Sequence, residues 1–146
     1  MKSVKLIKIT YWVFVVAALV LAVDFAISIM HFNAFFAAIE SDTVSIDIQP
    51  IGTFNGFTNI VITGAGLFFV LRTLVVLRRG FLFDRQLGIL FLILSSVSIV
   101  LITAFYIKAH LIAGILPALS KPILMLLISI LYWVGANIER ENSLTV

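Results

Sequence analysis

The sequence predicts an all-α membrane protein: a bundle of four transmembrane helices, both termini on the cytoplasmic side, and a longer outer loop between the first two helices. Three observations carry this. First, 62% of the 146 residues are hydrophobic and only 12% are charged, whereas a soluble domain has about 45–50% apolar and roughly 25% charged residues. A fold of this size leaves too much surface in solvent to hide so many apolar side chains from water. Second, the apolar residues gather in spans of about 17–25 residues, and roughly 20 are needed to cross ~30 Å of hydrocarbon. A subunit buried in a large soluble complex would share the composition without that spacing. Third, basic residues are divided unequally between the connecting segments. The whole chain, 1–146, reads as a single integral membrane domain.

The first span runs from about Ile9 to Met30 and is broken only by Asp24. Lys2, Lys5 and Lys8 precede it as they would a signal peptide. However, the apolar run outlasts an h-region and no Ala-x-Ala site closes it, so a retained helix is expected. The second span, Thr58 to Leu77, holds Arg72 as its one charge, and the third, Gln86 to Ile107, holds none. The fourth ends near Ile138 and has two candidate starts. A long helix could begin near Leu111 and bend at Pro117 and Pro122. Alternatively, Ser120 caps a helix with Pro122 in its first turn, where no amide partner is lost, giving a span of about 118–138. Leu111 to Leu119 would then form a separate interfacial piece.

Orientation follows from Lys and Arg, which favour the cytoplasmic side. Lys2, Lys5 and Lys8 mark the amino terminus, and Arg78, Arg79 and Arg85 mark the loop between spans two and three. The loop between spans one and two has no Lys or Arg but carries Glu40, Asp42 and Asp47. It therefore faces out, and Lys108 and Lys121 in the third loop are outvoted. Tyr11, Trp12, Tyr132 and Trp133 are expected at the inner headgroup level and Tyr106 at the outer one.

The outer loop, 31–57, is the one sizeable segment expected in water. His31 to Ile39 could extend the first helix past the membrane surface. Thr43 to Gln49 alternates polar and apolar residues, the periodicity of a strand, before Pro50 and Gly52 break it. A lone strand needs a partner such as Ile51 to Phe57, or could recruit another chain by edge addition. The simpler expectation is a tethered loop.

An ionisable residue inside a membrane span is a functional candidate, since its charge costs at least ~2.5 kcal/mol in hydrocarbon. Asp24 lies six residues from the outer end of its span, about 9 Å deep at 1.5 Å per residue. Lys121, Lys108 and His110 all map to that side, and an Asp24–Lys121 pair is expected. Arg72 lies about 9 Å from the inner boundary, where its stem can snorkel to the headgroups. Its depth separates it from Asp24. Arg78, Arg79 and Arg85 with Glu139 and Glu141 make a charged inner face. His31 and His110 lack the spacing of zinc ligands, cysteine is absent, and no basic run tracks nucleic-acid phosphates. No nucleophile elbow, HExxH or phosphate loop occurs, so neither metal, cofactor nor catalysis is expected. Gly64, Gly66, Gly88, Ser95, Ser96 and Ser98 are expected to line the bundle core, where small residues let helices approach. Some of them could serve a homo-oligomer instead.

Two local features resemble the uncharacterised bacterial membrane proteins of the domain of unknown function 2975 family. One is Arg78-Arg79-Gly80-Phe81-Leu82-Phe83 followed by Leu87-Gly88; the other is the tail Glu139 to Val146, acidic and closing on Leu144-Thr145-Val146. Leu82 stands where the family turn usually has proline, and its asparagine is missing. The resemblance implies a protein of the bacterial cytoplasmic membrane with no established activity. Because members are often encoded beside small helix-turn-helix regulators, it also implies a cytoplasmic regulator of that kind as a partner. Three functions are then expected in order: a regulatory or sensory protein that meets a partner, which could also be another membrane protein; a small transporter or channel component using Asp24; and an immunity-type protein that binds an external peptide.

Overall fold

A computed structural model describes residues 2–144; Met1, Thr145 and Val146, the last two closing the tail motif, lie outside the described residues. The chain is all-helical. Helix α1 spans Lys2–Glu40, α2 Gln49–Arg78, α3 Arg85–Lys108 and α4 Ile115–Leu144, with a short 3₁₀ turn at Ile112–Gly114. All four long helices are long and apolar enough to cross a membrane. The 39 residues of α1 extend about 58 Å at 1.5 Å per residue, nearly twice the ~30 Å of hydrocarbon.

Several boundaries differ from those expected. The outer loop shrinks from 31–57 to the turn at 41–48, because α1 runs on to Glu40 and α2 starts at Gln49. No strand forms at Thr43–Gln49 among the described residues. Instead the Gln49 side chain donates to the Val44 carbonyl at 3.2 Å, and Pro50 occupies the first turn of α2. Helix α4 begins at Ile115, so Pro117 rather than Pro122 sits in its first turn, and Pro122 is fully buried inside the helix. Ser120 is no cap. It is already helical, and its Oγ donates back to the Pro117 carbonyl at 2.8 Å.

Helix ends are closed by one recurring device. After α1, Thr43 donates to Ala38 and Asp42 to Ile39, with Asp42 at φ 55°. After α2, Phe81 donates to Val76 and Gly80 to Leu77, with Gly80 at φ 85°; after α3, Leu111 donates to Tyr106 and His110 to Ile107, with His110 at φ 56°. Each is a Schellman motif, whose left-handed residue turns orphan carbonyls toward new donors. At the start of α3, the Asp84 carboxylate accepts from the amides of Gln86 and Leu87 at 3.0 and 3.4 Å, a side-chain cap.

The helices pack as two antiparallel hairpins, α1 with α2 and α3 with α4, joined chiefly where α2 faces α4. In the first hairpin, phenylalanine rings sit on glycines: Phe35 over Gly52, Phe32 over Gly56, and Phe25 over Gly64, where a Cβ would come 2.9 Å from the ring. In the second, Gly88 lies against the backbone of Trp133, and Phe83 covers Gly135. Small residues let backbones approach where lipid supplies no hydrophobic drive. Ser95 is buried as expected, but Ser96 faces outward and donates to Leu92 at 2.8 Å. Between the hairpins, Phe69, Phe91 and Tyr132 form one edge-to-face cluster, and Phe54 stacks on Phe105 at 3.7 Å. Tyr132 and Tyr106 are therefore core residues, 4% and 6% exposed. The polarity is inside out relative to a soluble fold: Thr73, Ser95 and Ser129 are among the most buried side chains, while Leu131 and Val100 face outward.

The left-handed caps make a direct prediction. Gly80→Ala should destabilise the protein by about 1–2 kcal/mol, the cost of a Cβ in that conformation, and His110→Gly should stabilise it by up to about 1 kcal/mol. Thermal unfolding in detergent checks both, and equal midpoints for the two variants would contradict the assignment.

Candidate functional site

Asp24 and Lys121 meet as the sequence suggests. The Lys121 ammonium lies 3.3 Å from Asp24 Oδ2, and the two side chains are 50% and 43% exposed. Lys121 also donates to Asn59 Oδ1 at 2.7 Å. The Asn59 amide in turn donates to Ser28 Oγ at 2.8 Å, and Ser28 donates to the Asp24 carbonyl one turn back on α1. Four side chains from α1, α2 and α4 thus close a ring of polar contacts. Sequence reasoning missed Ser28 and Asn59. Their signal was spacing: Ser28 follows Asp24 by one helical turn and so shares its face.

Lys108 and His110 are not part of this ring; no hydrogen bond or ion pair joins them to it among the described residues. Lys108 ends α3, and His110 is consumed by the turn geometry that follows it. No group of three His, Cys, Asp or Glu side chains gathers as a metal site among the described residues.

The ring divides two spaces. On the side of the hairpin turns lies a vestibule of about 390 Å³ with a mixed lining, in which Asn55, Thr58, Asn59, Ser120 and Lys121 stand among apolar residues such as Ile62 and Ile102. Tyr106 donates to Asn55 Oδ1 there at 2.8 Å. On the opposite side lies a cleft of about 460 Å³ between α1, α2 and α4, reaching from Asp24 and Lys121 past Leu21, Ile62 and Phe69 to Ser129. It is almost wholly apolar. Close backbone approach is chiefly between α1 and α2 and between α3 and α4, and the cleft lining includes Val13 of α1 and Leu124 and Ile128 of α4, all exposed, so the cleft is open along the flank between α1 and α4. Thr63, 3% exposed, lines this cleft, and its occluded hydroxyl has no hydrogen-bond partner among the described residues.

The charged residues of the other end divide into two groups. Arg78 donates from Nε and Nη2 to the Tyr11 hydroxyl at 3.2 and 2.8 Å. The Glu139 carboxylate accepts from the amides of Leu82 and Phe83, each at 3.2 Å, and so ties the end of α4 to the α2–α3 loop. These two are internal fasteners. Arg72, Arg79, Arg85 and Glu141 are exposed.

No family model matches the chain, and neither a curated protein nor a solved structure does.

If the ring is one coupled unit, removing either charge strands the other. Asp24→Asn and Lys121→Met should each cost about 1–2 kcal/mol in detergent, and the double variant should recover about 1 kcal/mol of their sum. Additive losses in that cycle would show that the pair is not coupled.

Proposed function

We propose that the chain is a multi-pass protein of the bacterial cytoplasmic membrane, with both termini in the cytoplasm, that works by interaction and not by catalysis. The ring at the mouth of the cleft receives a ligand, and the exposed arginines at the other end meet a cytoplasmic protein. The observation that carries the reading is the Asp24–Lys121–Asn59 contact, which joins the two hairpins through groups with hydrogen-bonding capacity to spare. A ligand competing for Lys121 would have differential affinity for two packings of the hairpins, which is what a shift between states requires. Helix α4 offers the connection. It carries Lys121 near one end and Glu139 eighteen residues later, about 27 Å away, where that carboxylate holds the loop that bears Arg79 and leads into Arg85 at the start of α3. The likeness to the domain of unknown function 2975 proteins supports a helix-turn-helix regulator as the partner. The basic residues at 78–85, set against an acidic turn at 40–47, support the orientation.

A second reading, a small transporter, draws on the half-exposed Asp24 carboxylate at membrane depth. Crosslinking in native membranes separates the two. The interaction reading expects a co-purifying cytoplasmic protein that is lost in the Arg79→Ala/Arg85→Ala variant while the level of the chain is unchanged. An unchanged set of captured proteins, together with ion flux in proteoliposomes abolished by Asp24→Asn, would overturn it in favour of transport. Capture that responds instead to substitutions between Thr43 and Gln49 would overturn it in favour of an external peptide ligand.

A further inference from the structure

We propose that the cleft between α1 and α4 holds one acyl chain of a zwitterionic phospholipid with a primary ammonium headgroup, and that this lipid is the ligand of the ring. The assignment rests on reading the ring as a receiving site, and supplies its chemistry.

Three features follow one another along the cleft in the order a phospholipid presents them. At its mouth stand both signs of charge. Lys121 has three donor protons and uses two, on Asp24 Oδ2 and Asn59 Oδ1, leaving one for a phosphate oxygen. Asp24 Oδ1 accepts no hydrogen bond among the described residues, leaving it for an ammonium N–H. One turn further along α2 from Asn59, about 6 Å, Thr63 lines the cleft; its hydroxyl is occluded and has no hydrogen-bond partner among the described residues, and a χ1 rotation to its other helical rotamer would bring it to the cleft. A buried hydroxyl left so is unfavourable, and an ester carbonyl, which hangs below the phosphate of a glycerolipid, is the acceptor it lacks. Beyond Thr63 the lining turns to Leu21, Phe69, Val70, Met125 and Ile128, an apolar track for a chain. The volume of about 460 Å³ falls within the roughly 300–1,000 Å³ of small-molecule sites. The open flank lets one chain enter while a second stays in the bilayer. An anionic lipid such as phosphatidylglycerol could donate a hydroxyl to Asp24 but would bring its net negative charge against that carboxylate. A quaternary ammonium could pair with Asp24 but has no N–H to give it.

Native mass spectrometry of the detergent-purified full chain, incubated with equal amounts of phosphatidylethanolamine, phosphatidylcholine and phosphatidylglycerol of identical acyl chains, tests this. The expected result is retention of the ethanolamine lipid about tenfold over either competitor, falling to parity in Asp24→Asn. Thr63→Val separates a ligand role from a structural one. It should raise the melting temperature of the delipidated protein, because an unsatisfied hydroxyl is removed, yet lower retention of the lipid about threefold. Equal retention of all three lipids, preference for phosphatidylglycerol, or indifference to Thr63→Val would overturn the assignment, as would a two-chain mass with no lipid. If retention fails these criteria while the Arg79- and Arg85-dependent partner is still captured, the lipid falls and the interaction reading stands.

Discussion

Hydrocarbon offers no hydrogen bonds, and that single constraint organises the molecule. Every backbone amide and carbonyl within the bilayer must find its partner inside the same segment, which leaves helices as the open choice for a chain of this kind. The constraint then passes to the helix ends, where carbonyls and amides lose their partners. Three of those ends are closed by the same left-handed turn, at Asp42, Gly80 and His110. The loop before α3 is closed by carboxylates, Asp84 from within and Glu139 from α4. Asp84 and Glu139, beside the arginines at 78–85, therefore act first as acceptors for backbone amides. Only what remains after that use is free to meet another molecule.

Packing inverts the soluble pattern for the same reason. Burial of large apolar side chains gains little when the alternative is lipid, so the interior selects contacts that lipid cannot make. Glycines under phenylalanine rings bring α1 and α2 together, and Gly88 brings α3 against α4. Between the hairpins the fit is looser. Aromatic edges fill the lower part and the Ser28–Asn59–Lys121–Asp24 ring holds the upper part. The cleft exists because the close backbone packing of α1 is with α2, while toward α4 it is held mainly by the Asp24–Lys121 contact.

What could be read from the residues, and what could not, divides along physical lines. Four helices follow from apolar length, and the Asp24–Lys121 pair from the rarity of charge in such spans and a shared depth. Helix boundaries were less legible. Gly52, Asn55 and Gly56 read as loop residues because they are poor helix formers, and only the phenylalanines of α1, brought opposite them by the hairpin, explain why the helix begins at Gln49. The alternation at 43–49 has the period of a strand, but a segment of eight residues joining two helices has no second strand to pair with. For the fourth helix, the structure lies nearer the long helix from about Leu111 than the shorter one capped by Ser120: a turn at Ile112–Gly114 leads into α4 at Ile115, with Pro122 inside the helix. Tyr106 and Tyr132 were placed only by their level along the spans, and the structure adds that both are buried in the bundle, with hydroxyl partners at Asn55 and at Thr73. His110 carried no sign that its backbone, rather than its imidazole, would be used.

The central claim is that four helices cross the membrane with the α1–α2 turn and the α2–α3 loop on opposite faces. Since the chain has no cysteine, single cysteines can be placed at will. Labelling of intact cells with a membrane-impermeant maleimide should modify Ser45→Cys and leave Arg79→Cys unmodified until the membrane is opened. Equal labelling of both positions in intact cells, or recovery of the folded chain from the soluble fraction without detergent, would contradict the account.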